Sequence, residues 1–333
     1  MALIGPMSGS LTKLETGSPF SIGGNATTVS STDAGGNTIT SAQRIGMIML
    51  GDRASGNATL TAIDAGVVWA TSSSAGYAMN RDVFLNNLTV NSGVTLAVQG
   101  FQLYIAGTLL NSGTIESRGA STTTATAPGG GNGSANTYGT SNSAGGNGGS
   151  AAGGVGANPA AQTNALGGAG GGGGSTSGFA GGSGGTVTAP IATVTSWKTL
   201  NFLTRQRIYS ATSQPAIAGG GGGGGGAVNT LGTSMVGGGG GAGGVNMFLL
   251  MNVLDNAGTI QSRGGNGANA SGTGAQSGGG GGGGGGAVLV AANKVLSLGT
   301  IQSIGGSGGT GNLGGAAGTS GGVGPVVLLT GSV

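Results

Sequence analysis

Apolar and polar residues alternate with a period of two along the segment 84–117. Val94, Leu96 and Val98 alternate with smaller or polar residues, and Leu103 and Ile105 follow the same pattern. This alternation is typical of β-strands with one buried face, and Gly and Asn separate the apolar runs as they do at turns. The Val, Ile, Thr and Gly content disfavours a long helix. The pattern predicts consecutive short strands here, and the apolar runs IGMIMLG and GVVWATS predict two more upstream.

The end of this segment recurs twice further along the chain. GTIESRG begins at Gly113, GTIQSRGGNG at Gly258 and GTIQSIGGSG at Gly299, and an apolar segment precedes each copy without gaps. The second and third copies lie 41 residues apart, since 299 − 258 = 41, which is within the usual range for structural repeats. The sequence therefore predicts a repeated unit that ends in a GTI strand and runs into glycine.

Each repeat carries Gly or Asn six positions before its GTI motif. Gly and Asn tolerate left-handed backbone better than other residues. We therefore expect a tight bend at all three places, so that the unit consists of strand, bend, strand and GTI strand. The predicted bend residues are Gly107, Asn252 and Asn293.

From residue 119 onward, runs of glycine alternate with polar, nearly uncharged loops. Gly supplies 85 of the 333 residues, and the longest all-Gly runs are 219–226 and 278–286. The strict Gly triplet and abundant Pro of collagen are missing. A polyglycine helix of the polyproline-II type has three residues per turn and no internal hydrogen bonds, so its backbone groups need neighbouring helices as partners. An inner helix then requires Gly at every position, and an outer helix requires it only on the inward face.

These patterns predict an all-β protein with polyglycine-II helices. We expect a β-rich N-terminal domain over 1–118 and a glycine-rich domain over 119–333, built as a layered polyglycine-II sandwich or bundle with short β-strand repeats. An insert at 186–218 interrupts the second domain. The glycines expected to be structural are Gly219, Gly222, Gly226, Gly278, Gly282 and Gly286.

Charge and reactive side chains are scarce. The chain has ten Lys and Arg and seven Asp and Glu, and it has no Cys and no His. Thiol nucleophiles, imidazole bases and most transition-metal sites are thereby excluded. Arg205 and Arg207 form the only close basic pair, so we expect no nucleic acid partner. The first residues lack the features of a signal peptide and no apolar window is long enough to span a membrane, so we expect neither general secretion nor membrane insertion.

The acidic residues and the glycine runs do not form a recognisable catalytic pattern. A glycosidase needs two carboxylates that face one bond, but Glu116 and Asp255 occupy different positions of the repeat. No glycine run is followed by the Lys and Ser or Thr of a phosphate-binding loop. We therefore predict that the protein is not an enzyme and that it has no catalytic residues, no metal site and no cofactor.

The long runs at 219–226 and 278–286, with polar loops between the runs, resemble the glycine-rich tail-tip adhesins of T-even-like phages. The resemblance covers about 119–333, whereas 1–118 shows no clear match to the fibre-attachment domain of that family. It implies about ten polyglycine-II helices in layers, with distal loops that recognise outer-membrane proteins or sugars of the host. The GTIQSRGGNG strands also look like those of phage fibre and other virion proteins.

The expected function is therefore that of a phage virion structural protein, with a tail-fibre or tail-tip adhesin that binds the host surface as the first choice. Its partners would be other virion proteins and a host surface protein or glycan, and it would act as a homotrimer or in several copies per particle. It would be made in the host cytoplasm and released by lysis. The alternatives are a head fibre, a capsid decoration protein or a tail structural protein, and then an ice-binding or other extracellular adhesive protein.

Aromatic residues in or beside polar loops are the candidates for receptor contact. Tyr138 lies in a loop without apolar neighbours, which favours a contact role. Trp197 and Tyr209 belong to the insert at 186–218, where they either contact a receptor or form a local core. The full set of candidate contact residues is Asn136, Thr137, Tyr138, Phe179, Trp197 and Tyr209.

Overall fold

In the computed structural model, the fold consists mainly of two sheets whose strands are mostly parallel. The residues that the structure describes are 56–61, 69–73, 76–119, 121, 171–176, 179–184, 225–226, 235–273 and 276–330, together with the strand residues 31–32, 38–39, 162–163 and 187–188. No helix occurs among them, so the all-β class is confirmed for this part of the chain. The strands of the segment 84–117 that the sequence predicts are also present.

The strands are short, apart from three strands of ten residues. They are β1 (Ser31–Thr32), β2 (Thr38–Ile39), β3 (Asn57–Leu60), β4 (Ala70–Ser73), β5 (Gly76–Met79), β6 (Val83–Leu85), β7 (Asn87–Val90), β8 (Thr95–Ala97), β9 (Gln102–Asn111), β10 (Thr114–Arg118), β11 (Gln162–Thr163), β12 (Val187–Thr188), β13 (Met235–Val236), β14 (Met247–Asn256), β15 (Thr259–Arg263), β16 (Ser271–Gly272), β17 (Val288–Ser297), β18 (Thr300–Ile304) and β19 (Val326–Thr330).

The repeated units stack on one another and alternate between the two sheets. Sheet 1 has the order β19-β17-β14-β9-β7-β3, with β6 also paired to β9, and sheet 2 has the order β18-β15-β10-β8-β5-β4. Every pair in these sheets is parallel except the antiparallel pair β4–β5. Each GTI copy therefore adds one strand to sheet 2 directly after a strand of sheet 1. The pairs β1–β2, β11–β12 and β13–β16 lie outside these sheets.

Apolar side chains from both sheets form a shared core, and a second apolar cluster around Phe248 and Leu289 is separate from it. Leu96, Ile115 and Ile260 are in register on neighbouring strands of sheet 2, and all three are fully buried. The same cluster contains Leu88 of β7 and Leu249 of β14, which come from opposite sides of residue 118. Strands from both sides of residue 118 therefore contribute to the same sheets and to the same core.

The predicted bend positions lie inside strands without left-handed backbone; Gly107 and Asn252 lie at a β-bulge, whereas Asn293 lies opposite Asn252 in regular register. Gly107, Asn252 and Asn293 all lie within continuous ten-residue strands, and none of them has a positive φ. Where β14 pairs with β9, Met251 lies opposite Ile105 and Val253 lies opposite Thr108, so that Asn252 faces two residues. A bulge of this kind bends a strand without a left-handed residue.

A side-chain hydrogen bond accounts for the Asn residues at these positions, and a close approach of the neighbouring chain accounts for the Gly. Asn293 Nδ2 donates to Asn252 Oδ1 over 3.0 Å, which links the two repeats at the same place. The N–H of Gly107 donates to the carbonyl oxygen of Asn86 over 2.6 Å, and a Cβ on Gly107 would stand only 2.6 Å from that oxygen. Asn is therefore used here for its amide group, and Gly is used because the neighbouring chain comes close.

Glycine-rich segments connect sheet 2 back to sheet 1. The segment 264–270 follows β15 and 278–287 leads into β17, whereas 305–311 follows β18 and 315–325 leads into β19. These segments are neither helix nor strand, but their backbone groups bond to one another at intervals of three residues. The N–H groups of Gly264, Gly267 and Ala270 thus donate to the carbonyl oxygens of Ile304, Ser307 and Thr310.

Candidate functional site

The run 278–286 occupies the centre of the glycine-rich part. All nine residues are buried, although none has a side chain. One end, at Gly286, leads into β17, and the other end, at Gly278, lies away from the sheets. Because a segment without side chains cannot bury apolar groups, its backbone hydrogen bonds must account for its order.

Backbone hydrogen bonds join this run to six segments around it, two for each of its three faces. The first face, Gly278, Gly281 and Gly284, accepts N–H groups from Gly238, Gly241 and Gly244 over 2.9, 2.9 and 2.7 Å, and Gly278 donates to Gly226 over 2.8 Å. The second face, Gly279, Gly282 and Gly285, donates to Ala316, Thr319 and Gly322, and accepts from Gly174 and Gly171. The third face, with Gly280 and Gly283, donates to Ala268 and Gly265 and accepts from Gly309 and Gly306.

The neighbours approach so closely that a side chain has no space. A Cβ on Gly282 would overlap the carbonyl oxygen of Gly306, and a Cβ on Gly278 would overlap that of Gly174. A Cβ on Gly286 would lie 2.5 Å from the carbonyl oxygen of Val245. Most of the obstacles are backbone atoms, which cannot rotate away as a flexible side chain would. The central run therefore requires Gly for steric reasons at 278–283, 285 and 286.

Segments at the periphery carry a side chain at every third residue instead. Asn266 and Asn269 are exposed on one segment, and Ser307 and Thr310 are exposed on the next. The Oδ1 atoms of Asn266 and Asn269 accept the N–H groups of Ser307 and Thr310 over 3.0 and 2.8 Å. The motifs GGNGAN and GGSGGT thus mark outer segments, whereas uninterrupted glycine marks an inner one.

We call the glycine-rich segments rows. Turns from three parts of the chain meet at the end of the rows that lies away from the sheets. We call this region, residues 175–176, 179–180, 271–273, 276–277 and 312–316, the far end. The N–H of Ala316 donates to the carbonyl oxygen of Ser175 over 2.9 Å, and the N–H of Asn312 donates to that of Ser277 over 2.8 Å. Asn312 Nδ2 also donates to the carbonyl oxygen of Gly272 over 2.8 Å. These bonds hold the turns against one another.

The described residues of the far end carry no charge, and one of them is a strongly exposed leucine. Leu313 is 56% exposed and has a φ of 49°, and Gly314 after it has a φ of 86°. The N–H of Gly315 donates to the carbonyl oxygen of Asn312 over 2.9 Å and closes a four-residue turn. Positive φ at both central residues corresponds to a type I′ turn, which favours Asn or Gly at the place of Leu313. An apolar residue that is both exposed and in left-handed backbone has no evident role in stability.

Some of the predicted contact and structural residues lie in the far end or in the central run. Phe179 belongs to the far end, where it is half-buried and its carbonyl oxygen accepts the N–H of Thr176 over 2.9 Å. Gly278, Gly282 and Gly286 belong to the central run, and Gly226 lies beside it. The remaining predictions lie outside the described residues: Gly219, Gly222, Asn136, Thr137, Tyr138, Trp197, Tyr209 and the strand expected at IGMIMLG.

Leu313 is a feature that the sequence interpretation missed. The signal was the stretch GNLGG, in which one apolar residue stands inside a turn of Asn and Gly. Such a stretch is typical of an exposed turn rather than of a core, so its leucine needs an explanation. The candidate contacts were aromatic residues and the two polar neighbours of Tyr138, and this aliphatic residue was therefore overlooked.

The two acidic residues of the repeats lie in different sheets and have local partners. Glu116 of β10 accepts a hydrogen bond from Gln261 Nε2 over 3.1 Å and forms an ion pair with Arg118 over 3.1 Å. Asp255 of β14 accepts the hydroxyl of Ser297 over 2.6 Å. Among the described residues, no group of three or more His, Cys, Asp or Glu could hold a metal ion. Within the same residues, no helix has the length and apolarity that a membrane span requires.

Comparisons with known proteins provide no identification beyond these features. No protein-family model matches the chain, and no curated protein and no solved structure is similar to it. The resemblance to phage adhesins therefore depends on the glycine runs and polar loops of the sequence alone.

Proposed function

We propose that the glycine-rich segments are polyglycine-II helices, packed in layers around the run 278–286. Three observations support this assignment: hydrogen bonds recur at every third residue, the central run has neighbours on six sides, and all its residues are buried. Three residues per turn and hydrogen bonding only to neighbouring chains are the properties of this helix type. Three layers follow from the contacts: segments that leave sheet 2, segments that enter sheet 1, and segments around 171–174 and 225–226.

We further propose that the protein is a phage virion structural protein and acts as an adhesin at a tail fibre or tail tip. The observation that carries this proposal is the far end, where a rigid, close-packed support presents uncharged loops with the exposed Leu313. The layered helices hold these loops away from the sheets. The strands before residue 118 attach the protein to other virion proteins, and the far end contacts a host surface protein or glycan.

Binding in this proposal uses many weak contacts rather than a deep site. Hydroxyl and amide groups around Leu313 and Phe179 supply hydrogen bonds, and the apolar side chains supply van der Waals contact. Several copies on one particle strengthen such binding through avidity. The protein requires no cofactor and no catalytic residue for this function, and it reaches the cell exterior with the virion after lysis.

The function is tested with the purified full chain, labelled and incubated with a panel of bacterial strains. We expect saturable binding to some strains, protection of those strains from a phage that carries the protein, and loss of binding in L313D. The matched control is L110D, because Leu110 is also exposed, at 40%, but lies in β9 of sheet 1. Absence of binding to every strain, or equal binding by both variants, would contradict the role of the far end.

The main alternative is a virion structural role without receptor contact, as in a head fibre, a capsid decoration or a tail component. The last repeat has exposed apolar residues, Leu296, Leu298 and Val326, which are compatible with packing against virion partners. Labelling of intact particles with antibodies against the chain separates the two functions by electron microscopy. Label over the capsid shell or along the tail tube would overturn the adhesin, whereas label at fibre or tail tips supports it.

A further inference from the structure

The strands of sheet 2 present polar side chains on the face opposite the core. Ile115 and Ile260 enter the core, so Glu116 and Gln261, which follow them, lie on the outer face. Gln302 Nε2 donates to Gln261 Oε1, and Gln261 Nε2 donates to Glu116 Oε2, both over 3.1 Å. The outer face thus carries an ordered ladder of polar side chains that ends on the carboxylate of Glu116.

Two arginines lie directly opposite each other on this outer face. Arg118 of β10 is in register with Arg263 of β15. Neighbouring strands are about 4.8 Å apart, and like charges that face each other across two strands destabilise a sheet. Arg118 is compensated, because its Nη2 atom lies 3.1 Å from both carboxylate oxygens of Glu116. The carboxylate of Glu116 is therefore already engaged by Arg118 and Gln261.

Arg263 lacks a partner of this kind. The position that Glu116 occupies in β10 is occupied in β15 by the neutral Gln261. Arg263 is half-buried and forms no ion pair within the described residues. Two arginines and one glutamate leave this part of the face with a net charge of +1. A guanidinium group presents its donors in a planar fork that fits a carboxylate, so Arg263 is suited to bind the carboxylate of a ligand.

The same side of the molecule continues along the rows as a line of neutral polar groups. Asn266 and Asn269 follow Arg263 at intervals of three residues, and Ser307 and Thr310 lie beside them on the next row. All four are exposed. The asparagine Oδ1 atoms accept backbone N–H groups, whereas the Nδ2 groups donate no hydrogen bond within the described residues. Six residues of extended backbone separate Arg263 from Asn269, which gives a length of about 20 Å.

The polar flank is our name for this surface, which consists of Arg118, Arg263, Asn266, Asn269, Ser307 and Thr310. Its length favours a linear polymer over a small molecule. A nucleic acid carries a charge on every nucleotide and requires several basic groups, but the flank has one surplus positive charge. The centre of a protein interface is rich in aromatic residues and Met, and the flank has none. Sugar hydroxyls donate and accept hydrogen bonds, so they complement the amides and hydroxyls of the flank.

We propose that the polar flank binds an acidic polysaccharide and that Arg263 binds a carboxylate of this polymer. The ligand then supplies the acid that β15 lacks at Gln261, and it offsets the repulsion between Arg118 and Arg263. The exposed Asn, Ser and Thr side chains bind hydroxyl groups of the adjoining sugars. Arg263 lies at the sheet end of its row, and the site does not involve Leu313. The proposal therefore goes beyond the adhesin function of the far end and does not rest on it.

Calorimetric titration of the full chain tests the ligand class. The probes are hyaluronan, alginate and polysialic acid, each also in a form whose carboxylates have been reduced to alcohols. We expect binding to at least one acidic polymer, weakening with added salt, and no binding to its reduced form or to neutral dextran. Absence of binding to all three acidic polymers, or undiminished binding after reduction, would overturn the proposal. Equal affinity for single-stranded DNA or polyglutamate would overturn the choice of a sugar polymer.

Two variants with the same loss of charge test the assigned residue. R263Q should weaken binding at least about tenfold, because a hydrogen bond to a charged group is lost. The matched control is K294Q, because Lys294 is exposed in β17 of sheet 1, and this variant should bind like the native chain. Equal weakening in both variants would mean that net charge alone attracts the polymer, and would refute the site.

Thermal unfolding of the same proteins without ligand separates binding from a structural role. R263Q should unfold at the native midpoint or above it, because the substitution removes a like-charge pair. A lower midpoint would show that Arg263 stabilises the fold through a partner within the chain, and would contradict the assignment. L313D should bind the polysaccharide as the native chain does, so a failure of this site and a failure of the far end are distinguishable.

Discussion

The sheets and the glycine-rich rows are two ways of ordering a backbone in one protein. In the sheets, apolar residues such as Ile115 and Ile260 enter a core and supply hydrophobic burial. In the rows, the run 278–286 is equally buried but contributes only backbone groups. The sheets therefore need particular side chains to be present, whereas the inner row needs them to be absent.

The spacing between residues that share one face also differs between the sheets and the rows. A strand presents every second residue to one face, so Leu103 and Ile105 are both in the core. In the rows, hydrogen bonds recur at every third residue, and Asn266 and Asn269, three residues apart, share the solvent side. Ordering costs about 1–2 kcal/mol per residue for the backbone in both regions. Side-chain burial offsets this cost in the sheets, and cooperative hydrogen bonding with up to six neighbours offsets it in the rows.

The largest effect is expected for a branched side chain in the inner row. G282V should destabilise the protein by about 4 kcal/mol or more, because the new Cβ overlaps the backbone of Gly306. The control is T310V, which introduces the same residue at an exposed position of an outer row and should change stability by less than about 0.5 kcal/mol. Denaturant unfolding measures both. Equal stability of G282V and the native protein would refute close packing of this run.

The opposite change, removal of a side chain, should affect the sheets most. I260A deletes a fully buried side chain between the sheets and should cost about 3 kcal/mol in unfolding free energy. I301A removes the equivalent residue of the next repeat, which is only half-buried at the terminal edge, and should cost less than half as much. A similar cost for both variants would mean that the edge is covered to the same degree as the interior.

A smaller effect is expected where the sheets depend on buried polar groups. Asn256 Oδ1 accepts a hydrogen bond of 2.7 Å from Asn111 Nδ2, and both residues are fully buried. N256A should cost about 2 kcal/mol, because a buried donor loses its main partner. N293A at the exposed end of the other asparagine ladder should cost less than about 1 kcal/mol by thermal denaturation. The reverse order would contradict a stabilising role of the buried ladder.

The smallest change in stability, and one of opposite sign, is expected at the far end. L313N should raise stability by about 0.5–1 kcal/mol, because Asn tolerates the left-handed backbone of this turn better than Leu. The same variant should bind host cells less well if Leu313 is a contact residue. Calorimetry and the cell-binding assay measure the two quantities separately, and a variant that is more stable with unchanged binding would remove Leu313 from the contact surface.

Much of the fold was predictable because it depends on local periodicity. The alternation at Val94, Leu96 and Val98 predicted strands, and the recurrence of GTI predicted equivalent strands that turned out to lie in register. The bends at Asn252 and Asn293 were misjudged because Asn has two uses, left-handed backbone and side-chain hydrogen bonding, which the sequence does not distinguish. Phe179 was predicted as a contact residue from its position in the sequence, and its place at the far end depends on contacts between distant segments.

The sequence by itself determined that the described part of the chain is all-β, that its second and third repeats are 41 residues apart, and that the run 278–286 has no side chains. These properties follow from residue types and spacing. Only the tertiary structure decided that β9 stacks on β14 across a long insertion, that the central run has neighbours on six sides, and that Leu313 stands exposed at the far end. The physical reason is that glycine specifies no partner: its backbone groups bond to any chain that comes close enough, so the neighbours are chosen by the strands to which the rows are joined.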